Sequence, residues 1–162
     1  MDYSKELEGI AKPKTDLQNS LKQREQVTNP SEAFVIQRLT GIEHIDTPTA
    51  VTEGHDLNGQ LNKQGGYTAT VYFVSDLVDQ SVVVGDNVID KGTDGGGAVE
   101  VYSDESSAEK RDQYLGALDG GILSSGSHTV CGTCVIRTSN NLAASQQKDL
   151  EAAMIEALTR LE

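Results

Sequence analysis

Both cysteines of this chain fall in one tetrapeptide, Cys131-Gly132-Thr133-Cys134. Dithiols at this spacing do redox chemistry where a helix N-terminus stabilises the thiolate. They make half of a zinc site where two further soft ligands exist, and here no other cysteine is present. The tetrapeptide lies inside an extended run, Thr129 to Thr138, that reads as a strand. Residues three apart in a regular strand face opposite ways. That puts Val130, Cys134 and Ile136 on one face and Cys131 and Val135 on the other. The expectation is a pair of structural thiols that diverge, too few to report a redox compartment.

The histidines are His44, His55 and His128. His44, Asp46, His55 and Asp56 share one loop region and are the candidate metal ligands, although their spacing matches no helical or finger pattern. Solvated loop histidines are the competing reading. The segment Asp56 to Asn62 has the oxygens and glycine of a calcium loop but lacks the alternating acids and closing Glu of an EF-hand. A turn held by Asn and Asp side chains accounts for the same composition. Gly92 to Gly97 precedes a strand, whereas phosphate loops follow one and open a helix, so it reads as a turn or a bulged strand start. Ser127 and His128 stand side by side without a nucleophile elbow. Arg137 is placed to pair with Glu100 on a neighbouring strand, as a structural ion pair. Neither a catalytic residue nor a cofactor is expected.

These residues need elements to position them. Asn29-Pro30-Ser31-Glu32 predicts a helix capped by Asn29 with Pro30 at its first position, carrying Ala33, Val35, Ile36 and Leu39 and ended by Gly41. Thr49 to Thr52 predicts a short strand. Tyr67 to Ser75 predicts the strongest one, with Tyr67, Ala69, Val71 and Phe73 facing one way. Brief pairing is expected at Val82 to Val84 and at Val88-Ile89, and a second strand at Ala98 to Tyr102. A helix capped by Ser103 or Asp104 follows, with the stripe Ala108, Arg111, Leu115 and Leu118, stopped by Gly120-Gly121. The closing helix carries Leu150, Met154, Ala157, Leu158 and Leu161. Residues 1–28 read as a helical extension or tether, its stripe of Leu7, Ile10, Leu17 and Leu21 broken by Gly9 and Pro13. Residues 29–162 read as a single α+β domain. Its expected architecture is a twisted, mostly antiparallel sheet of about four strands with helices on one face. The segment from Ala98 to Thr138 is open to a right-handed crossover that sets its two strands parallel.

Charge narrows the partners. The chain has 162 residues and a formal charge of −12, with 36% hydrophobic and 4% aromatic residues and no Trp, so its core must be aliphatic. An anionic surface repels phosphate backbones and anionic membranes, which excludes nucleic acid. Lys22 to Arg24 is the nearest thing to a basic patch, and Glu25 follows it. No apolar run approaches the roughly 20 residues that cross a bilayer, so the chain is not expected to span one. Met1 to Glu6 has no apolar core, so any leader must lie upstream and be removed.

Several stretches carry a resemblance: Pro48 to Glu53, Gly65 to Ala69, Asp90 to Gly96, Glu100 to Tyr102, and Gly126-Ser127-His128 through Val135 to Ser139. Over roughly Val35 to Leu158 the chain resembles a family of Gram-positive bacterial, lipoprotein-like cell-envelope proteins with no established activity. The resemblance implies an extracytoplasmic domain, anchored at the membrane through a missing leader, although the segment after Met1 has no lipid-attachment cysteine and leaves a cytoplasmic location open. The expected function is non-enzymatic binding of an unknown protein or small ligand at the cell envelope. The alternatives are a small metal-dependent hydrolase using the loop histidines and acids, and a structural protein that forms homo-oligomers through its N-terminal helix.

Overall fold

The computed structural model describes residues 4–121, 124 and 126–162. The first three residues of the expected extension lie outside the described residues. Strands β1 (Asp46–Ala50), β2 (Ala69–Val74), β3 (Gly96–Val101), β4 (His128–Cys131) and β5 (Cys134–Thr138) form one sheet in the order β1-β2-β3-β5-β4. Every pairing is antiparallel. The fold is α+β as expected, with five strands rather than about four.

The extra strand has a local cause. Gly132 takes φ +60°, and of the two turn residues only it is left-handed. Glycine at the first position of a two-residue turn is the II′ hairpin arrangement. The run Thr129 to Thr138 is therefore two strands joined by a tight turn. That reversal also refines the expected crossover: β4, which follows α4, runs parallel to β3 as expected, but the chain then doubles back and β5 lies between them, antiparallel to both.

Helices cover both faces of the sheet, not one. On the first face Val71, Phe73, Val99 and Ile136 meet α2 (Glu32–Leu39) and α5 (Ala144–Thr159) through Val35, Leu39, Met154 and Leu158. On the second face Tyr102 and Val135 meet Ala108 and Leu115 of α4 (Glu105–Gly116). Tyr72 and Ala98 there meet Val51 and the one-turn helix α3 (Val88–Lys91). Tyr67 precedes β2 and joins the second face, not the Ala69, Val71 and Phe73 set with which alternation grouped it. Every residue of β2 from Ala69 to Phe73 is buried, as a central strand covered on both sides requires.

Helix ends follow side-chain hydrogen bonds. Ser31, not Asn29, caps α2 by accepting from the Phe34 N–H. Asn29 instead takes φ +45°, and its side-chain oxygen accepts from the Thr68 hydroxyl. Asp104 caps α4 by accepting from the Ser107 N–H. That helix ends at Gly116, before the Gly120-Gly121 pair. Val88-Ile89 is helical, not extended, because the Asn87 side chain accepts from the N–H groups of Ile89 and Asp90. Val82 and Val84 pair with no strand and are exposed.

The N-terminal segment is one continuous helix, α1 (Ser4–Gln26), with Pro13 inside it, rather than the broken one the sequence suggests. Leu7, Ile10, Leu17 and Leu21 are 58–67% exposed. Among the described residues, it joins the rest of the molecule toward its C-terminal end. The Gln26 amide donates to the carbonyls of Leu158 and Arg160, Arg24 pairs with Glu105, and the Val27 side chain that follows is buried. Among the described residues, no helix is long and apolar enough to cross a membrane.

Candidate functional site

The loop from residue 56 to residue 67 is organised by a single carboxylate. Asp56 accepts from the backbone N–H groups of Asn58 (3.1 Å), Gln60 (2.6 Å) and Leu61 (2.8 Å), and from the Tyr67 hydroxyl. Burial pushes the Asp56 pKa up, but the Tyr67 hydroxyl and the backbone donors outweigh it and hold the carboxyl below its ordinary value. Tyr67 is shifted the other way, upward, by burial first and then by its bond to Asp56. The loop is closed where the Asn62 N–H donates to the Tyr67 carbonyl at 2.9 Å. It is tight enough that a Cβ on Gly66 would sit 2.0 Å from the Gln60 carbonyl oxygen. This is the turn held by Asp and Asn side chains that the composition allowed.

Behind the loop lies a buried charge cluster. Glu100, 1% exposed near the end of the central strand β3, accepts from the Arg111 Nε and Nη2 at 2.8 and 2.9 Å, a two-pronged geometry that strengthens the pair. It also accepts from the Arg137 Nη1 at 2.8 Å and the Tyr102 hydroxyl at 2.9 Å. Burial raises the Glu100 pKa, yet the two guanidinium groups more than offset it and the net shift is downward. The Glu100–Arg137 pair is the one expected from the sequence. Arg111 and Tyr102 complete it.

Loop and helix together enclose a cleft of about 490 Å³. Its bottom is formed by the buried rings of Tyr67 and Tyr102, set edge to face with centroids 6.3 Å apart and planes at 80°. From α4 come Lys110, Arg111 and Tyr114, with the Arg111 guanidinium 5.6 Å from the centre of the Tyr114 ring. The amides of Asn58 and Gln60 stand on the loop side. No carboxylate is among the lining residues, in a chain whose net charge is −12. Lys110 makes no ion pair within 4.0 Å among the described residues, so its ammonium is open to a ligand.

The structure does not gather the residues singled out for metal binding into one site. His44 Nδ1 lies 2.8 Å from an Asp76 oxygen, and His55 Nδ1 lies 3.2 Å from the Thr52 hydroxyl. Asp56 is the loop hub, and Asp46 is exposed at the start of β1. Among the described residues, no three His, Cys, Asp or Glu side chains are placed to hold a metal ion. Ser127 and His128 make no triad. The Ser127 hydroxyl donates to Glu151 of α5 at 2.5 Å, whereas His128 lies between Asp112 (2.6 Å) and Asp119 (3.1 Å) on the α4 side.

The cysteines require the largest correction. Because they flank the hairpin turn instead of sitting within one strand, Cys131 and Cys134 are directly opposed in register. Both side chains enter the core under α2 and α5. Burial raises both thiols, and Cys134, which also feels Cys131, is pushed up to about 12. The thiols converge.

The sequence held signals for the cleft that its motifs did not express. Arg111 interrupts an apolar helical stripe, and two of the five tyrosines stand at the ends of predicted strands, Tyr67 opening one and Tyr102 closing the other. An arginine facing a core implies a buried anion, and Glu100 was the acid available to it. Comparisons with known protein families, with curated proteins and with solved structures find no match for this chain.

Proposed function

We propose that this chain is a non-enzymatic binding domain of the cell envelope, and that its ligand site is the cleft between the Asp56 loop and α4. One observation carries the reading: a concave site with aromatic walls and a free ammonium, lined by no carboxylate, on a strongly acidic chain. Pockets of this volume with a few convergent polar groups are the usual form of small-ligand sites. The ligand class that fits is a small molecule with an anionic group beside a flat, weakly polar face. Lys110 attracts the anion, and the exposed Tyr114 ring, with the edges that Tyr67 and Tyr102 leave open, meets the flat face.

Binding suits the site better than catalysis. Asp56 and Glu100 each have their oxygens occupied, and burial raises the hydroxyls of Tyr67 and Tyr102 away from the range of a working base. The loop histidines of the hydrolase reading point to separate partners outside the cleft. The envelope setting rests on the resemblance of the motifs quoted above. Fractionation of cells expressing the whole reading frame tests it, and a wholly cytosolic product rejects it.

Titration of the labelled protein with benzoate and with glucuronate, followed by amide chemical shifts, tests the site. The expected result is perturbation confined to residues 58–67 and 102–114, lost on Lys110→Ala. Shifts scattered over the surface, or centred elsewhere, overturn it.

A second reading has its own observation. The four apolar side chains of α1 are more than half exposed at near-heptad spacing, a pattern helices bury against one another. Self-association through α1 would cover them. Sedimentation of a Leu17→Glu, Leu21→Glu variant decides: a mass unchanged from that of the parent chain removes the idea.

A further inference from the structure

The sheet brings the two thiols into the geometry of a cross-link. Directly opposed residues of an antiparallel pair have Cα atoms about 4.5 or 5.5 Å apart, depending on which kind of pair they form. Both values fall inside the range of about 4.4–6.8 Å that disulfides span. Opposed side chains share a face, and here that face is one buried cluster containing Cys131, Cys134 and Val27. Access is unequal. Cys131 closes the edge strand β4 and keeps 9% of its surface, whereas Cys134 has none.

The turn between them is a contact point. A Cβ on Gly132 would sit 2.4 Å from both the Val27 carbonyl oxygen and its Cγ2, so the left-handed glycine is what lets the chain leaving α1 reach the hairpin tip. The Thr133 N–H donates to the Val27 carbonyl at 2.9 Å, and the Thr133 hydroxyl accepts from the Asn29 N–H at 2.7 Å. The hairpin tip thus holds the base of α1.

We propose that Cys131 and Cys134 are a covalent closure site, joined by exchange with a low-molecular-weight disulfide into a bond that fixes the hairpin tip and, through Thr133, the attachment of α1. The Cys131 thiolate attacks the oxidant R–S–S–R, forming Cys131–S–S–R and releasing one R–S⁻. The Cys134 thiolate then attacks the Cys131 sulfur, forming the Cys131–Cys134 bond and releasing the second R–S⁻. The two protein thiols are oxidised, the small disulfide is reduced, and the two protons end on the R–SH products. So short a loop removes little unfolded-state entropy, and the effect of the bond is local. Burial of both thiols keeps the thiolate scarce, which makes the exchange slow in the folded chain and quicker while the chain is folding.

The test is to refold the full chain in excess oxidised glutathione, quench in acid, denature, alkylate with iodoacetamide and weigh the product. The expected result is loss of both alkylatable thiols in a monomer that carries no glutathione. Cys131→Ser and Cys134→Ser, alkylated alongside, each form no internal bond. Hydrogen exchange of the Thr133 and Asn29 amides is expected to slow in the oxidised chain relative to the reduced one. Two free thiols after refolding, a product that stops at the glutathione adduct, or a bond between two chains overturns the proposal. Exchange at Asn29 that is the same in both forms overturns the coupling to α1. The wild-type arms need no variant to fold.

Discussion

Under α2 and α5 the sheet offers Val71, Phe73, Val99 and Ile136 to Leu39, Met154 and Leu158, a layer of hydrocarbon. Under α4 the same strands offer Thr70, Glu100 and Arg137, and the helix answers with Arg111. The first face draws its stability from apolar area removed from water, which is non-directional and tolerates repacking. The second adds to its apolar contacts a set of charged groups at fixed angles, which stabilises only while every partner is present and in return sets where α4 lies. The cleft needs α4 in one place, and it is found on the face that specifies position.

Breaking the charged face is expected to produce the largest effect. Glu100→Ala leaves two guanidinium groups buried without their anion and is expected to cost about 3–5 kcal/mol, measured by urea unfolding. Replacing Glu100, Arg111 and Arg137 together by apolar residues is expected to recover most of that stability. The triple variant is also expected to lose the benzoate-induced shifts, since it removes Arg111 from the cleft lining together with the cluster that positions α4. On the hydrocarbon face, Met154→Ala is expected to cost about 2–5 kcal/mol by the same measurement while leaving those shifts in place. A loss of binding in Met154→Ala would show that the two faces are not separable.

Asp56 gives a smaller effect that depends on pH. Its folded pKa is depressed, so its contribution is complete above the unfolded value and fades as pH falls through the folded one. Asp56→Asn is expected to cost about 2 kcal/mol at neutral pH, in the range for hydrogen bonds to a charged group. The variant is also expected to have a shallower acid limb in its stability profile. Glu100, Asp79 and Asp104 have depressed values too and keep the remainder of that limb. The smallest change in stability is expected for Lys110→Ala, within about 0.5 kcal/mol because its side chain is exposed and unpaired. Its benzoate shifts nevertheless vanish if the ammonium recognises the anion.

Much of the architecture was legible because it depends on local rules. The alternation in β2, the Asp104 cap and the Leu150, Met154 and Leu158 stripe all reappear as elements. Gly132 was misread for a physical reason. Thr129, Val130, Val135 and Ile136 have the composition of one long strand, and a glycine within it is compatible with either a bulge or a reversal. The reversal is made by the left-handed Gly132, and the Val27 carbonyl that accepts from the Thr133 N–H, which no window around the turn contains, holds it in place. Two errors follow from that one misreading: the direction of β5 and the divergence of the thiols. The cleft was hidden for a related reason. Tyr67, Tyr102 and Lys110 are brought together by the sheet and by α4, and their spacing in the chain has no period. Asp56 stood out as a weak cation ligand, but its oxygens are directed at the loop's own N–H groups.

The base of α1 is tied to three separate elements within residues 24–29: Arg24 to Glu105 of α4, Gln26 to the carbonyls of Leu158 and Arg160 at the end of α5, and Val27 with Asn29 to the β4–β5 tip. Tension carried along that helix would be divided among all three at once. Such a joint does not peel. It holds until its ties fail together, so a single-molecule pull from the N-terminus should record the gradual lengthening of the exposed helix α1 and then one sharp rupture at its base.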